Sequence, residues 1–323
     1  MRRYSVVIPI YNRPDEIKEL LESLTKQTYR NFDVVVVEDG SSIKCEEIVN
    51  SFKEQLDISY YFKENTGQGF SRNYGYERSK GDYFIVFDSD CIIPPNYFEE
   101  LEKALNEKFL DAYGGPDKSH PSFTDVQKAI SYSMTSLFTT GGIRGNKKSV
   151  GVFHPRSFNM GISRRVFEKT SGYIITRMGE DIEFSIRIIN SGFKSGLVEN
   201  AFVYHKRRTN FGHFFKQLHF FGRARINIYR FFPSELKPIH FMPAAFTLFC
   251  AFTILSAIFS SSVFFICSGF LLLYSLLILI DSTVKNKSLK IGFLSIAAVF
   301  TQLTGYGIGF LTELKRELFK EKK

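Results

Sequence analysis

Asp88 and Asp90 stand two apart in Phe87-Asp88-Ser89-Asp90, directly after the apolar run Tyr83 to Phe87. Carboxylates on alternate residues where a chain leaves a strand can converge on one hard cation, which takes oxygen ligands and keeps phosphate and water in its other positions. An ion held there would bridge a diphosphate and neutralise the charge growing on a departing nucleotide. An Asp-rich turn that only closes the strand has the same sequence, so the pair by itself leaves both readings open. A second acidic group, Glu38-Asp39-Gly40-Ser41-Ser42, also follows an apolar run. There a carboxylate can accept from a nucleobase N–H or from ribose hydroxyls while Gly40 lets the backbone approach closely, or the segment is simply an Asp-Gly turn. The third group is Gly179-Glu180-Asp181-Ile182-Glu183. Acids at a helix start suit the helix dipole, and the chemical alternative makes one of them, Asp181 by choice, a general base that takes a proton from an attacking hydroxyl.

These groups need elements to hold them. Ser5 to Ile10, Phe32 to Val37, Ile58 to Phe62 and Tyr83 to Phe87 read as strands. Between them, Pro14 to Gln27 carries Ile17, Leu20, Leu21 and Leu24 at helical spacing, and Cys45 to Leu56 and Asn65 to Ser79 read as further helices. Strands separated by helices of this length pair in parallel, so the first half is an open α/β sheet. Ligands of such sheets bind at the carboxyl ends of the strands, where the first two acidic groups lie. The region beyond is less regular, broken by Gly114-Gly115-Pro116 and Gly141-Gly142, with a loop-rich stretch around Arg144 to His154.

Two nucleotide-binding devices are excluded. The first strand runs into Pro9-Ile10-Tyr11-Asn12-Arg13 without glycine, and Gly67-Gln68-Gly69-Phe70-Ser71-Arg72 lacks the third glycine of a dinucleotide fingerprint. No G-x-x-x-x-G-K-[ST] phosphate loop is present.

Taken in order, Ser5-Val6-Val7-Ile8-Pro9-Ile10-Tyr11-Asn12, Glu38-Asp39-Gly40-Ser41, Asn65-Thr66-Gly67 with Ser71-Arg72-Asn73, Asp88-Ser89-Asp90, Asn159-Met160-Gly161 with Arg164-Arg165, and Gly179-Glu180-Asp181 resemble the motifs of family 2 glycosyltransferases. The resemblance implies an α/β GT-A fold, the nucleotide-diphospho-sugar transferase type with a Rossmann-like open mixed sheet, and transfer of a sugar with inversion at the anomeric carbon. It implies that Pro9, Tyr11 and Asp39 hold base and ribose, that Arg72 lies near the nucleotide phosphates, and that Asp88 contacts ribose or metal. Asp90 becomes the principal ligand of Mg²⁺ or Mn²⁺, Asp181 the catalytic base, and His205 a residue that completes the metal site or an ordinary strand-end histidine. Glu38 departs from the more usual Asp of that turn and keeps the charge. The Gln-x-x-Arg-Trp signature of processive polysaccharide synthases is absent, since the chain has no Trp, so one sugar is added per encounter.

Composition divides the 323 residues unevenly. From Phe241 to Ile280 no charge appears, which a water-facing surface does not tolerate over that length. Residues 1–235 are expected to form the GT-A domain and 236–323 a membrane region of C-terminal transmembrane α-helices. Segments at about 241–260 and 262–280 would make a hairpin, and 291–311 would be a third span or a re-entrant or interfacial helix. Phe211, Phe214, Phe215, Leu218 and Phe221 share one helical face within 211–232, a core helix of the domain or one lying among headgroups. The net charge of +9 gathers at the junction and in the tail, which favours membrane lipids over nucleic acid. The four cysteines show neither metal-ligand spacing nor a disulfide framework. The start carries no secretory signal, and Lys285, Lys287 and Lys290 follow the second span. Together these place the protein in the inner membrane with its catalytic domain cytoplasmic. The expected partners are a UDP- or GDP-sugar donor and a glycan or lipid-linked acceptor. A polyprenyl-phosphate glycosyl transferase and a non-catalytic nucleotide-sugar-binding membrane scaffold are the alternatives.

Overall fold

A computed structural model of the chain describes residues 1–140 and 153–319. Gly141-Gly142, most of the loop-rich stretch after Arg144, and the last basic residues of the tail lie outside the described residues. The strands are β1 (Tyr4–Ile10), β2 (Phe32–Asp39), β3 (Ile58–Lys63), β4 (Tyr83–Phe87), β5 (Cys91–Ile92), β6 (Ala112–Gly114), β7 (Asp117–Lys118), β8 (Asn159–Ser163), β9 (Ser195–Leu197) and β10 (Val203–His205). The helices are α1 (Pro14–Thr25), α2 (Glu46–Asn50), α3 (Gln68–Arg78), α4 (Tyr97–Glu107), α5 (Asp125–Thr135), α6 (Leu137–Thr140), α7 (Arg164–Thr170), α8 (Glu180–Asn190), α9 (Phe211–Phe231), α10 (Met242–Phe259), α11 (Ser261–Asn286) and α12 (Leu289–Leu318). They form two compact units, one of Met1–His120 and Lys147–Lys206, the other of Pro121–Asn146 and Arg207–Lys323.

The first unit is built on a sheet of order β3-β2-β1-β4-β8-β6-β9 with a small second sheet β5-β10-β7. β1 pairs in parallel with β2 and β4, and β2 with β3, as helical crossovers require. β8 runs antiparallel to β4 and β6, which makes the sheet mixed. Every residue of β2 and β4 is buried. Their alternate side chains serve opposite faces: Val6, Ile8, Val34 and Val36 pack with Ile17, Leu20 and Leu24 of α1 and Phe98 and Leu101 of α4. Val7, Val35, Val37, Phe84 and Val86 pack on the other face with Tyr76 of α3 and Phe184 and Ile188 of α8. The helix expected over 45–56 is shorter. After Asn50 it continues as turns such as Phe52 N–H to Val49 O and Lys53 N–H to Asn50 O, while the Ser51 hydroxyl donates to the Ile48 carbonyl and competes with regular helix.

The second unit holds the apolar helices together with α5. Among the described residues this unit takes in 121–140 and the chain after Lys206. α5 opens with a reciprocal Thr124–Gln127 cap. Its Ala129, Ile130 and Met134 pack with Phe214 and Leu218 of α9 and Ile291 and Ala298 of α12. Among the described residues three helices are long and apolar enough to cross a membrane: Pro238–Phe259, Ser261–Asn286 and Leu289–Leu318. Along α10 and α11 large apolar side chains such as Ile254, Ile258 and Phe265 face outward, as lipid-facing helices do. Ser260 separates these two helices and its Oγ accepts from Val263 N to start α11. α12 runs unbroken through the glycines that suggested a re-entrant segment.

Those glycines serve close packing instead. A Cβ at Gly309 would fall 2.0 Å from the His219 carbonyl oxygen of α9, and one at Gly222 of α9 would fall 2.1 Å from the Tyr306 carbonyl oxygen of α12. The obstruction is backbone on both sides, so a side chain there forces the helices apart. Gly309→Val is expected to destabilise the helical unit by about 1–3 kcal/mol or more, whereas Gly269→Ala, where a Cβ meets nothing within 4 Å, leaves it unchanged. Melting temperatures of the two purified variants in detergent check the contrast; equal melting of both would remove the packing account.

Candidate active site

The central strands deliver their ends to one edge. Register pairs Ile10 with Glu38 and Val7 with Val86, so the residues after β1, β2 and β4 emerge side by side. Near the end of β1 Pro9 is partly buried, and Tyr11, just after it, is 52% exposed. Asn12 adopts a left-handed φ of 52°. Its N–H donates to Ser41 Oγ (2.9 Å), and its side-chain oxygen accepts from Ser42 Oγ (3.1 Å) and Ile43 N (3.0 Å), locking the two strand-end turns together.

Glu38 and Asp39 divide their roles. Glu38 is fully buried and accepts from Cys45 N (3.1 Å), Cys45 Sγ (3.4 Å) and the Tyr60 hydroxyl, so its charge is spent on starting α2. Burial first, then the Glu38 carboxylate, push the Cys45 thiol up to about 12. Asp39 accepts from Lys63 Nζ (2.5 Å), Thr66 N (2.9 Å) and Gly67 N (2.8 Å). Burial pushes its carboxyl up, but the Lys63 ammonium and the Thr66 amide outweigh burial and hold it below the usual carboxylate range.

Arg72, expected beside the phosphates, is enclosed within the protein, its side chain 1% exposed. Its guanidinium donates to Asp88 Oδ1 (3.0 Å) and to Glu180 Oε1 (3.1 Å), with Tyr173 beneath it at 5.3 Å. One buried cation thus ties the strand-end carboxylate Asp88 to the residue preceding Asp181. Gln68 Nε2 also donates to Glu180. Burial and the neighbouring Asp181 push the Glu180 carboxyl above its usual value even though Arg72 opposes them. Asp181 lies in the first turn of α8, after Gly179 with a left-handed φ of 97°. Its Oδ2 accepts from Arg156 Nη1 (3.2 Å) and its Oδ1 from Ile182 N (2.8 Å), leaving the carboxylate partly exposed to a reactant. The loop before α8 is fixed to α3, since Asn73 exchanges bonds with both Tyr173 N and Tyr173 O at 2.8 Å.

Asp90 and His205 meet through the small sheet. Antiparallel register sets His205 opposite Cys91, and Lys206 N donates to the Asp90 carbonyl (2.9 Å). His205 Nε2 lies 3.0 Å from Asp90 Oδ1, and the Phe158 ring stacks on the imidazole at 5.1 Å. Asp90, Cys91 and His205 present donor atoms all within 4.8 Å of one another. The Cys91 thiol donates to the Phe158 carbonyl (3.6 Å), so a carboxylate oxygen and an imidazole nitrogen are the ready ligands. Oxygen with imidazole suits Mn²⁺ well and Mg²⁺ through the oxygen, so the residues present fit the divalent ion expected of them.

Asp39, Asp88, Asp90, Asp181 and His205 therefore all lie in the sheet unit, with Asp88 joined through Arg72 to Glu180, the residue before Asp181, and Asp90 close to His205. Sequence reasoning passed over Arg13, Lys63 and Arg156, which pair with Asp90 (3.2 Å), Asp39 and Asp181. A signal existed for one of them: in parallel register Lys63, the last residue of β3, stands opposite Asp39.

Residues 5–171 match the model of glycosyl transferase family 2. An uncharacterized glycosyltransferase of Rickettsia typhi is 39% identical over 103 residues, 32% of this chain and 32% of that protein. Glycosyltransferase GlyG of Streptococcus pneumoniae is 36% identical over 113 residues, 34% of this chain and 38% of that protein. The match thus spans about a third of the length of these curated relatives. Among solved structures, the mannosyltransferase PcManGT from Pyrobaculum calidifontis, in complex with GDP-Man and Mn²⁺, superposes with a TM-score of 0.68 at 16% identity, covering 99% of this chain and 88% of that one, a likeness of fold. With the family model spanning more than half of the chain and the ordered strand-end carboxylates in place, the protein belongs to glycosyl transferase family 2.

Proposed function

We propose that the enzyme is an inverting, non-processive transferase that moves a sugar from a nucleoside-diphosphate sugar to a hydroxyl of a glycan or lipid-linked acceptor. The observation that carries this reading is the Asp88–Arg72–Glu180 bridge, which places one rigid cation between the strand end that faces a donor and the helix start that carries Asp181. In the proposed reaction the acceptor oxygen bonds to the anomeric carbon as the bond to the diphosphate oxygen breaks. Asp181 takes the hydroxyl proton, and inversion follows because a single displacement occurs on one face. Pro9, Tyr11 and Asp39 hold base and ribose.

Asp90 and His205, with Asp88 beside them, would hold Mn²⁺ or Mg²⁺. Such an ion supplies Lewis-acid charge to the departing diphosphate. The fold shared with PcManGT, whose structure contains GDP-Man and Mn²⁺, supports both donor class and ion. The three apolar helices and Lys285, Lys287 and Lys290 after α11 support a membrane enzyme whose catalytic unit is cytoplasmic, where an acceptor in the same bilayer is locally concentrated. A thermal-shift panel of nucleotide-sugars with and without Mn²⁺ tests the reading. Stabilisation by at least one nucleotide-sugar, larger with Mn²⁺, is expected; stabilisation by none of them, with no transfer or hydrolysis, refutes it.

A further inference from the structure

We infer that α12 does not cross the bilayer but lies along its surface, on the side from which the chain enters α10, with its outer face set among lipid headgroups. The bilayer is then crossed by α10 and α11 alone, and both ends of the chain lie on one side of it. This rests on the reading of the chain as a membrane enzyme.

α10 and α11 form a hairpin joined at Ser260, so the start of α10 and the end of α11 share one level, where the Phe246 and Tyr274 rings meet at 5.8 Å. A third span packed on this hairpin would follow it toward Ser260. α12 crosses it instead. A Cβ at Gly292 would fall 2.2 Å from Thr283 Oγ1, and Ser295 Oγ lies 2.7 Å from Ser282 Oγ. Phe300 packs on Tyr274 at 6.3 Å and on Phe246 at 5.3 Å. Leu303 O then accepts from Thr247 Oγ1 (3.4 Å), a Cβ at Gly307 would fall 2.4 Å from the Pro243 carbonyl oxygen, and Phe310 meets Phe241 at 5.0 Å. From Gly292 to Phe310 the helix advances about 27 Å. Over that distance its partners pass from the end of α11 to the start of α10, so α12 stays at one level. Toward Ser260 the hairpin remains open, with Ile258 84% and Phe265 70% exposed.

The other side of α12 is held by a charged helix. α9 runs parallel to it: a Cβ at Gly305 would fall 3.1 Å from the Phe215 carbonyl oxygen and one at Gly309 2.0 Å from that of His219. Further along, Glu313 pairs with Arg223 (2.9 Å) and Arg230 (2.8 Å), and Glu317 with Arg230 (2.6 Å). With Lys216, Arg223, Arg225 and Arg230 along its length, α9 is too costly to place in hydrocarbon, and α12 cannot descend without it. The first turn of α12 is tied in the same way, by Lys290 to Asp125 of α5 at 2.8 Å. Ion pairs thus stand at both ends of α12 while its middle meets the end of the hairpin. Lys285, Lys287 and Lys290 then share one side with Lys315 and Arg316, as positive charge in a membrane protein does; a spanning α12 would divide them.

Topology and depth test this on the full chain. Epitope tags before Met1 and after Lys323 are expected to be reached by antibody from the same side of sealed membrane vesicles. The chain has no Trp, so a single introduced one reports alone. With vesicle lipids brominated near the headgroup or deep in the acyl chain, Phe293→Trp and Thr301→Trp should be quenched most by the shallow bromines, at about 5–10 Å into the boundary. Phe270→Trp of α11 should be quenched most by the deep ones. Thr301 is the middle of the apolar stretch 291–311, which a span would place about 15 Å from either surface. Tags reached from opposite sides, or Thr301→Trp quenched by deep bromines as strongly as Phe270→Trp, overturn the inference and leave the membrane reading intact; if a Trp variant fails to fold, the tags decide. Release of the tagged chain from vesicles by alkaline carbonate overturns both.

Discussion

Asp181→Asn is expected to lower sugar transfer by about 10²–10⁴-fold while nucleotide affinity stays nearly unchanged. Asn keeps the volume, can still accept from Ile182 N through its carbonyl oxygen while only the bond from Arg156 on the other oxygen is lost, and leaves α8 in place. What it loses is the capacity to take a proton. Asp181 is not bonded to the strand-end carboxylates; only its neighbour Glu180 is, through Arg72. Rate and binding should therefore separate in this variant. Single-turnover transfer and calorimetric nucleotide binding measure the two, and full transfer activity would remove Asp181 from the role of base.

Arg72→Met has the other large effect, on stability and activity together. The wild-type guanidinium is enclosed, with the Glu180 side chain 5% exposed and Asp88 partly open. Removing one partner of a buried ion pair leaves the other uncompensated and costs about 3–5 kcal/mol, a fall in melting temperature of roughly 10 °C for a unit of this size. The double variant Arg72→Met, Glu180→Gln, which removes the stranded charge as well, should recover much of the stability but not the transfer rate, since Asp88 has still lost the group that orients it. The pH dependence follows from Glu180. Its folded-state value is raised above the unfolded one by burial and Asp181, so its protonated form favours folding, fully below the ordinary glutamate value of about 4.3 and less as pH rises through the folded value. Without Arg72 that loss grows. The deficit of Arg72→Met against wild type should therefore shrink as pH falls from neutrality toward that range, and a deficit independent of pH would mean that Glu180 does not carry it.

Much of the site was legible because it sits where chain period and chemistry coincide. Buried runs of alternating faces located β1, β2 and β4, and parallel pairing then required Asp39 and Asp88 to share an edge. His205 was legible as a strand end. The use made of each charge was not. Glu38 and Asp39 are adjacent carboxylates in sequence, yet one is consumed by a helix start and a tyrosine and the other accepts from Lys63 and the Thr66 and Gly67 amides, a division set by the β-strand alternation together with the path of residues 43–46. The pairing of Arg72 with both Asp88 and Glu180 was not legible, because sequence reports its charge and not its depth. α5 was not read from the sequence at all, because its cover, Phe214, Leu218, Ile291 and Ala298, lies about 80 to 170 residues further along the chain.

That placement of α5 has a consequence for synthesis. Its apolar face is complete only against Ile291 and Ala298 of α12, and α5 ends at Thr135 while α12 begins at Leu289. At ribosomal rates of about 5–20 residues per second, the face waits on the order of 10–30 s after it is made. During that interval the sheet unit can be completed while Ile130 and Met134 still lack their full cover. The nascent chain thus has a built-in need for prompt delivery to the bilayer, set by the position of α5 in the chain and not by the apolar helices alone.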